Sequence, residues 1–120
     1  MRLLTALTAF VPVLALTVSA PAFAADDIHV KLGKIGANLA GYNYHNYEYC
    51  GASAGDLATI KAKDRVKFAN SGTEFDAAFA AGIADSLSKQ NTGIAQLGEA
   101  KYKASICPNV LKNLQEKLAK

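Results

Sequence analysis

The sequence predicts an all-α fold, a small bundle of about four helices closed by one disulfide. Three observations predict it. Apolar residues recur at steps of three and four through most of the chain, which is the helical period. Breakers such as Gly51 and Asn70-Ser71-Gly72 divide those runs into separate elements. Two cysteines, Cys50 and Cys107, fall at the end of the first run and the start of the last.

The N-terminus stands apart from this pattern. Met1-Arg2 gives a positive start and Leu3 to Val18 is largely apolar. Ala22-Phe23-Ala24 then makes the small-x-small cleavage pattern just ahead of Asp26 and Asp27. The segment approaches the ~20 residues that a membrane span needs, but Pro12, Pro21 and the interspersed Ser and Thr weaken an anchor. A cleavable export signal over residues 1–24 is therefore expected. One domain over residues 25–120 follows, periplasmic or secreted, with no stable membrane anchor after cleavage. Its 96 residues suffice for one modest core, whose stability is marginal without a cross-link. The chain has 13 Lys and Arg against 10 Asp and Glu. These are interspersed, unlike the clustered basic face of a nucleic-acid binder.

The first helix is expected from about Asp27 to Cys50. Ile28, Leu32, Ile35, Leu39, Tyr42, Tyr49 and Cys50 share one stripe of the wheel and are expected to face the core. A second face consists of small residues, Gly33, Gly36, Ala37 and Ala40, continued by Tyr44 and Tyr47; Lys31, Lys34, Asn38 and His45 form a narrow polar strip between. Each glycine costs about 1 kcal/mol of helix propensity, which close approach of another helix would offset. An alternative is a short hairpin, since Tyr42-Asn43-Tyr44 and Tyr47-Glu48-Tyr49 alternate with period two around His45-Asn46. The absence of a glycine after Asn46 favours the helix.

Gly51 should close the first helix in a left-handed conformation, and Ser53 or Asp56 should open a second helix over about residues 55–69. Leu57, Ile60 and Phe68 share its apolar face, with Lys61, Lys63, Asp64, Arg65 and Lys67 in solvent. Ser71-Gly72-Thr73-Glu74 reads as a capping box for a third helix over about 73–90. Phe75, Phe79, Ile83 and Leu87 make its stripe, with Gly82 beside it. Asn91-Thr92-Gly93 reads as a turn, and Ile94, Leu97 and Tyr102 as a short helix or packed segment. Pro108 suits the first position of a last helix, whose stripe is Val110, Leu111, Leu114 and Leu118.

Cys50 and Cys107 lie on the apolar stripes of their own helices and are expected to pair. An even cysteine count in an exported chain reads as a disulfide, which an oxidising compartment preserves. Closing so long a loop would stabilise the domain by ~4 kcal/mol in the chain-entropy account.

Chemistry-bearing motifs are sparse. His45 has Glu48 one turn on, the spacing of a solvated His–Glu pair, but no nucleophile signature accompanies it. Two ligands fall short of the three or four of a metal site, and no C-x-x-C, H-E-x-x-H or completed phosphate loop occurs. No enzyme activity, metal or cofactor is expected. The tyrosines are the unusual feature: Tyr42, Tyr44, Tyr47 and Tyr49 fall within eight residues, and tyrosine is enriched in binding surfaces. The expected binding face is Gly33, Gly36, Ala37 and Ala40 with Tyr44 and Tyr47.

The layout is similar to that of small periplasmic acid-stress chaperones and of helical immunity proteins; the similarity covers gross layout and carries over no residue. The expected function is binding of a protein partner, as by an inhibitor or immunity factor. A periplasmic acid or stress holdase is the alternative, and a small-molecule binder the second.

Overall fold

In the computed structural model the described residues are 28–69 and 74–120. Residues 1–27, with the expected export signal, and residues 70–73, with Ser71 of the expected capping box, lie outside them. The described residues are helical almost throughout and contain no strand. Helix α1 covers residues 28–49, α2 Ala54–Lys67, α3 Phe75–Leu97 and α4 Glu99–Ala119. The all-α expectation holds, and the Tyr42–Tyr49 stretch is helix rather than hairpin.

The local signals explain the first boundary. Gly51 takes φ 91°, the left-handed region that a side chain would strain. The amide of Ala52 then returns to Tyr47 O at 3.0 Å. Ser53 caps α2, its Oγ accepting from the Asp56 amide at 3.1 Å, which satisfies one of the orphan donors of a helix start.

The expected turn at Asn91-Thr92-Gly93 is instead helix, and α3 runs on to Leu97. Thr92 Oγ1 donates to Ser88 O at 3.1 Å, so its hydroxyl is satisfied inside the helix. Gly93 is there for closeness: a Cβ would lie 2.3 Å from the Tyr102 ring. The true break is Gly98, at φ 81° and ψ 153°, a conformation open essentially to glycine alone. Helix α4 therefore starts at Glu99, and Pro108 lies inside it rather than at its first position. The missing proline N–H leaves the Ala104 carbonyl without its helical donor. Both residues are exposed, so water can serve that carbonyl.

The helices run up, down, up and down. Helix α3 runs parallel to α1, with Asn38 on Ala78 O at 3.4 Å, Asn46 on Ser86 at 3.1 Å and His45 on Gln90 at 2.8 Å. Helix α4 runs antiparallel to α1. Tyr49 meets Tyr102 at 6.0 Å between ring centroids, Cys50 is bonded to Cys107, and Tyr47 donates to Asn113.

Two clusters form the core. Ala37, Ala40, Phe75, Ala78 and Phe79 join α1 to α3. Tyr47, Leu57, Ile60 and Leu114 join α1, α2 and α4. Tyr44 touches both and meets Phe79 edge-on at 5.1 Å. The α1–α3 contact is backbone to backbone. A Cβ on Gly41 would lie 1.9 Å from Phe79 O, and one on Gly82 would lie 1.9 Å from Asn38 O. Close approach offsets the propensity these glycines cost, as the sequence suggested.

The orientation of α1 is the main correction. The first part of its expected core stripe faces outward: Ile28 is 55 % exposed, Leu32 62 %, Ile35 65 % and Leu39 55 %, while Tyr42, Tyr49 and Cys50 are half-buried. The small-residue face points inward instead. Glycine and alanine let two backbones meet, so more atoms come into dispersion contact than a ridge of long side chains would allow there.

Candidate binding surface

The six residues expected to meet a partner pack within the chain. Ala37 and Ala40 are buried against Phe75, Ala78 and Phe79. Gly33 is buried. Gly36 lies under Phe68, whose ring would be 2.3 Å from a Cβ there. Tyr47 is 2 % exposed, and Tyr44 sits between the two clusters, with Lys61 Nζ 5.9 Å above its ring. Burial pushes the Tyr47 hydroxyl up to about 12, with Asp64 adding to the effect. The face expected as a partner surface is interior packing.

The bare face of α1 is on the opposite side. Ile28, Leu32, Ile35 and Leu39 follow one another at steps of four, three and four, a ridge along one side of the helix. Beside it a groove of about 640 Å³ opens between α1 and α3. Val30, Lys34, Ile35 and Asn38 line its α1 wall, and Glu74, Ala77, Ala78 and Ala81 its α3 wall. Beyond Glu74 at its start, α3 presents only alanine methyls to the groove.

Helix α4 explains why the ridge is bare. It covers the upper continuation of the stripe, where Tyr49 and Cys50 meet Tyr102 and Cys107. It then leans toward α2: Leu114 and Leu118 pack with Leu57 and Ile60, and Lys63 Nζ donates to Leu118 O at 3.0 Å. The disulfide fixes where α4 crosses α1, and below that crossing nothing among the described residues covers residues 28–39.

The polar groups near this surface serve the fold. His45 is half-buried and bonds to Gln90 Oε1 at 2.8 Å, not to the exposed Glu48 as its spacing suggested. Ser86, 1 % exposed, donates to Asn46 Oδ1 at 3.1 Å, so the one buried hydroxyl on α3 has its partner. Arg65 and Asp76 pair at 2.8 Å in solvent, and that hydrogen bond holds the Asp76 carboxyl below its usual range. Among the described residues no group of three or more His, Cys, Asp or Glu is placed to hold a metal ion. No described helix is long and apolar enough to cross a membrane.

The exposed ridge was legible as apolar, but its direction was not. The usable signal was the second stripe: a helix apolar on two opposite faces can turn only one of them inward in a bundle this small.

No protein-family model matches this chain, and no curated protein and no solved structure matches it.

Proposed function

We propose that this is an exported protein that acts by binding another protein, as an inhibitor or immunity factor does, and that its working surface is the bare face of α1. The observation that carries the reading is the ridge itself: four large aliphatic side chains on one helix face, each more than half exposed. Contiguous exposed apolar surface on a small soluble domain marks an interaction site more often than chance. The Cys50–Cys107 disulfide supports an oxidising, exported location.

The test is capture from native periplasm with wild type and with Leu32→Asp/Ile35→Asp as bait. The reading expects a partner that the wild type retains and the double variant loses, with both melting alike as isolated monomers. A partner held equally by both would contradict it.

An acid-triggered holdase also needs apolar surface, but it further needs a group whose protonation opens the fold. Asp76, held below its usual range by Arg65, has that sign but lies in solvent, where such a pair contributes little; the half-buried acid Asp64 has the opposite sign. Burial holds its carboxyl above the usual range, against the pull of Lys117 and Lys67, so protonation favours the folded state. A small-molecule site is less well supported. The α1–α3 groove lies open along exposed Val30, Lys34 and Ile35, whereas ligand pockets enclose most of their ligand.

A further inference from the structure

We propose, resting on the reading above that the bare face of α1 is a protein-binding surface, that in the free protein a second copy of this chain occupies that face until a partner displaces it. The two copies dock about a two-fold axis that runs along the α1–α3 groove, so that the α1 side of each, with its ridge, lies against the alanine wall of the other's α3.

Shape is the first support. A two-fold interface uses the same patch on both copies, so the patch must be complementary to itself. A groove with large side chains on its α1 side and alanines on its α3 side meets that condition, because rotation about the groove places the α1 side of each copy on the α3 side of the other. The ridge carries large side chains, Ile28, Leu32, Ile35 and Leu39, and the far groove wall carries small ones, Ala77, Ala78 and Ala81. The ridge spacing of four, three and four keeps it in register with a neighbouring helix over three turns.

Charge is the second support. Lys34 lines one wall of the groove and Glu74 the other. Both are exposed, and neither is in an ion pair among the described residues. The same rotation brings Lys34 of one copy to Glu74 of the other, and the reverse, so both charges are matched by one operation. A uniformly acidic or basic helix would satisfy one wall and oppose the other. An anionic bilayer would likewise be attracted by Lys34 and repelled by Glu74.

Sedimentation of the exported protein, disulfide intact, from low to high micromolar concentration tests the arrangement, with melting curves confirming that each variant is folded. The wild type should pass from monomer to dimer. Lys34→Glu and Glu74→Lys should each weaken the dimer by about tenfold or more, since each sets like charges opposite one another twice. The double swap should return most of the affinity, and Ile35→Asp should give monomer throughout. Monomer at every concentration overturns the proposal, as does a double swap weaker than either single change. A monomer that co-sediments with anionic vesicles overturns it in favour of a bilayer. A monomer that still captures a foreign protein through Leu32 and Ile35 overturns the second copy alone and leaves the binding reading standing. Capture indifferent to those two residues, beside a charge cycle that behaves as stated, does the reverse.

Discussion

Tyr47 shows how burial decides a residue's role. It looked like an interface anchor because tyrosine offers an apolar body with a polar tip. Its ring instead fills the space between Leu57, Ile60 and Leu114, and its hydroxyl reaches Asn113. Tyr47→Ala should therefore cost ~3–5 kcal/mol of stability, the range for an aromatic lost from a core. Tyr47→Phe should cost only ~1 kcal/mol, because exposed Asn113 can turn to water. Urea unfolding of the two variants checks both figures.

Asp64 gives a pH dependence with a definite sign. Its folded carboxyl titrates above the usual range because burial outweighs Lys117 and Lys67. The charged form is thus the one the fold disfavours. Asp64→Asn should raise stability at neutral pH, and the gain should shrink as pH falls through the folded value and vanish below the unfolded value near ~3.9. Stability of wild type and variant measured from pH 7 to 3 shows whether the curves converge. A gain that grows with acid would reverse the assignment and revive an acid trigger.

Among the elements, α1 and α3 meet through Gly41 and Gly82, and that contact sets how the bundle packs. Alanine at either position gains about 1 kcal/mol of helix propensity but drives a methyl into the facing backbone. A backbone atom cannot step aside as a flexible side chain can. Gly41→Ala and Gly82→Ala should each destabilise the fold by a net ~1–3 kcal/mol, the scale of overpacking. Gly55→Ala, where a Cβ meets open space, should not. Thermal unfolding of the three variants checks the contrast.

How much the sequence disclosed differs from element to element. Helix α2 was legible because its signals are local: the Ser53 cap, the Leu57 and Ile60 stripe, and Gly51 before it. The Phe75 and Phe79 face of α3 was legible for the same reason. The turn at residues 91–93 and the helix start at Pro108 were misread because residues that usually punctuate are held in helix by neighbours, Gly93 by the Tyr102 ring and Pro108 beside the cross-linked Cys107. The two faces of α1 were exchanged. Ranking faces by hydrophobicity favours Ile28, Leu32, Ile35 and Leu39, but packing favours the side that lets backbones approach, and only the partner helix decides which applies. The residues expected to bind turned inward with that exchange.

For the whole molecule, the Cys50–Cys107 bond spans 57 residues and sets where α4 crosses α1. Reduction should lower the melting temperature by ten degrees or more, since ~4 kcal/mol is large for a domain of this size. Calorimetry with and without reductant measures the difference. By fixing α4 on the upper half of α1, the same bond leaves the lower half uncovered, so the cross-link that stabilises the fold also creates its bare face.

Helix α1 turns its small-residue side inward and the large aliphatic side chains of its first half outward. Hydroxyl-radical footprinting read by mass spectrometry tests it most directly, in dilute solution where copies are apart. Leu32, Ile35 and Leu39 should oxidise readily and Tyr47 should be strongly protected in the same sample, although tyrosine is intrinsically the more reactive side chain. Protection across residues 32–39 together with oxidation of Tyr47 would mean that the helix faces the other way.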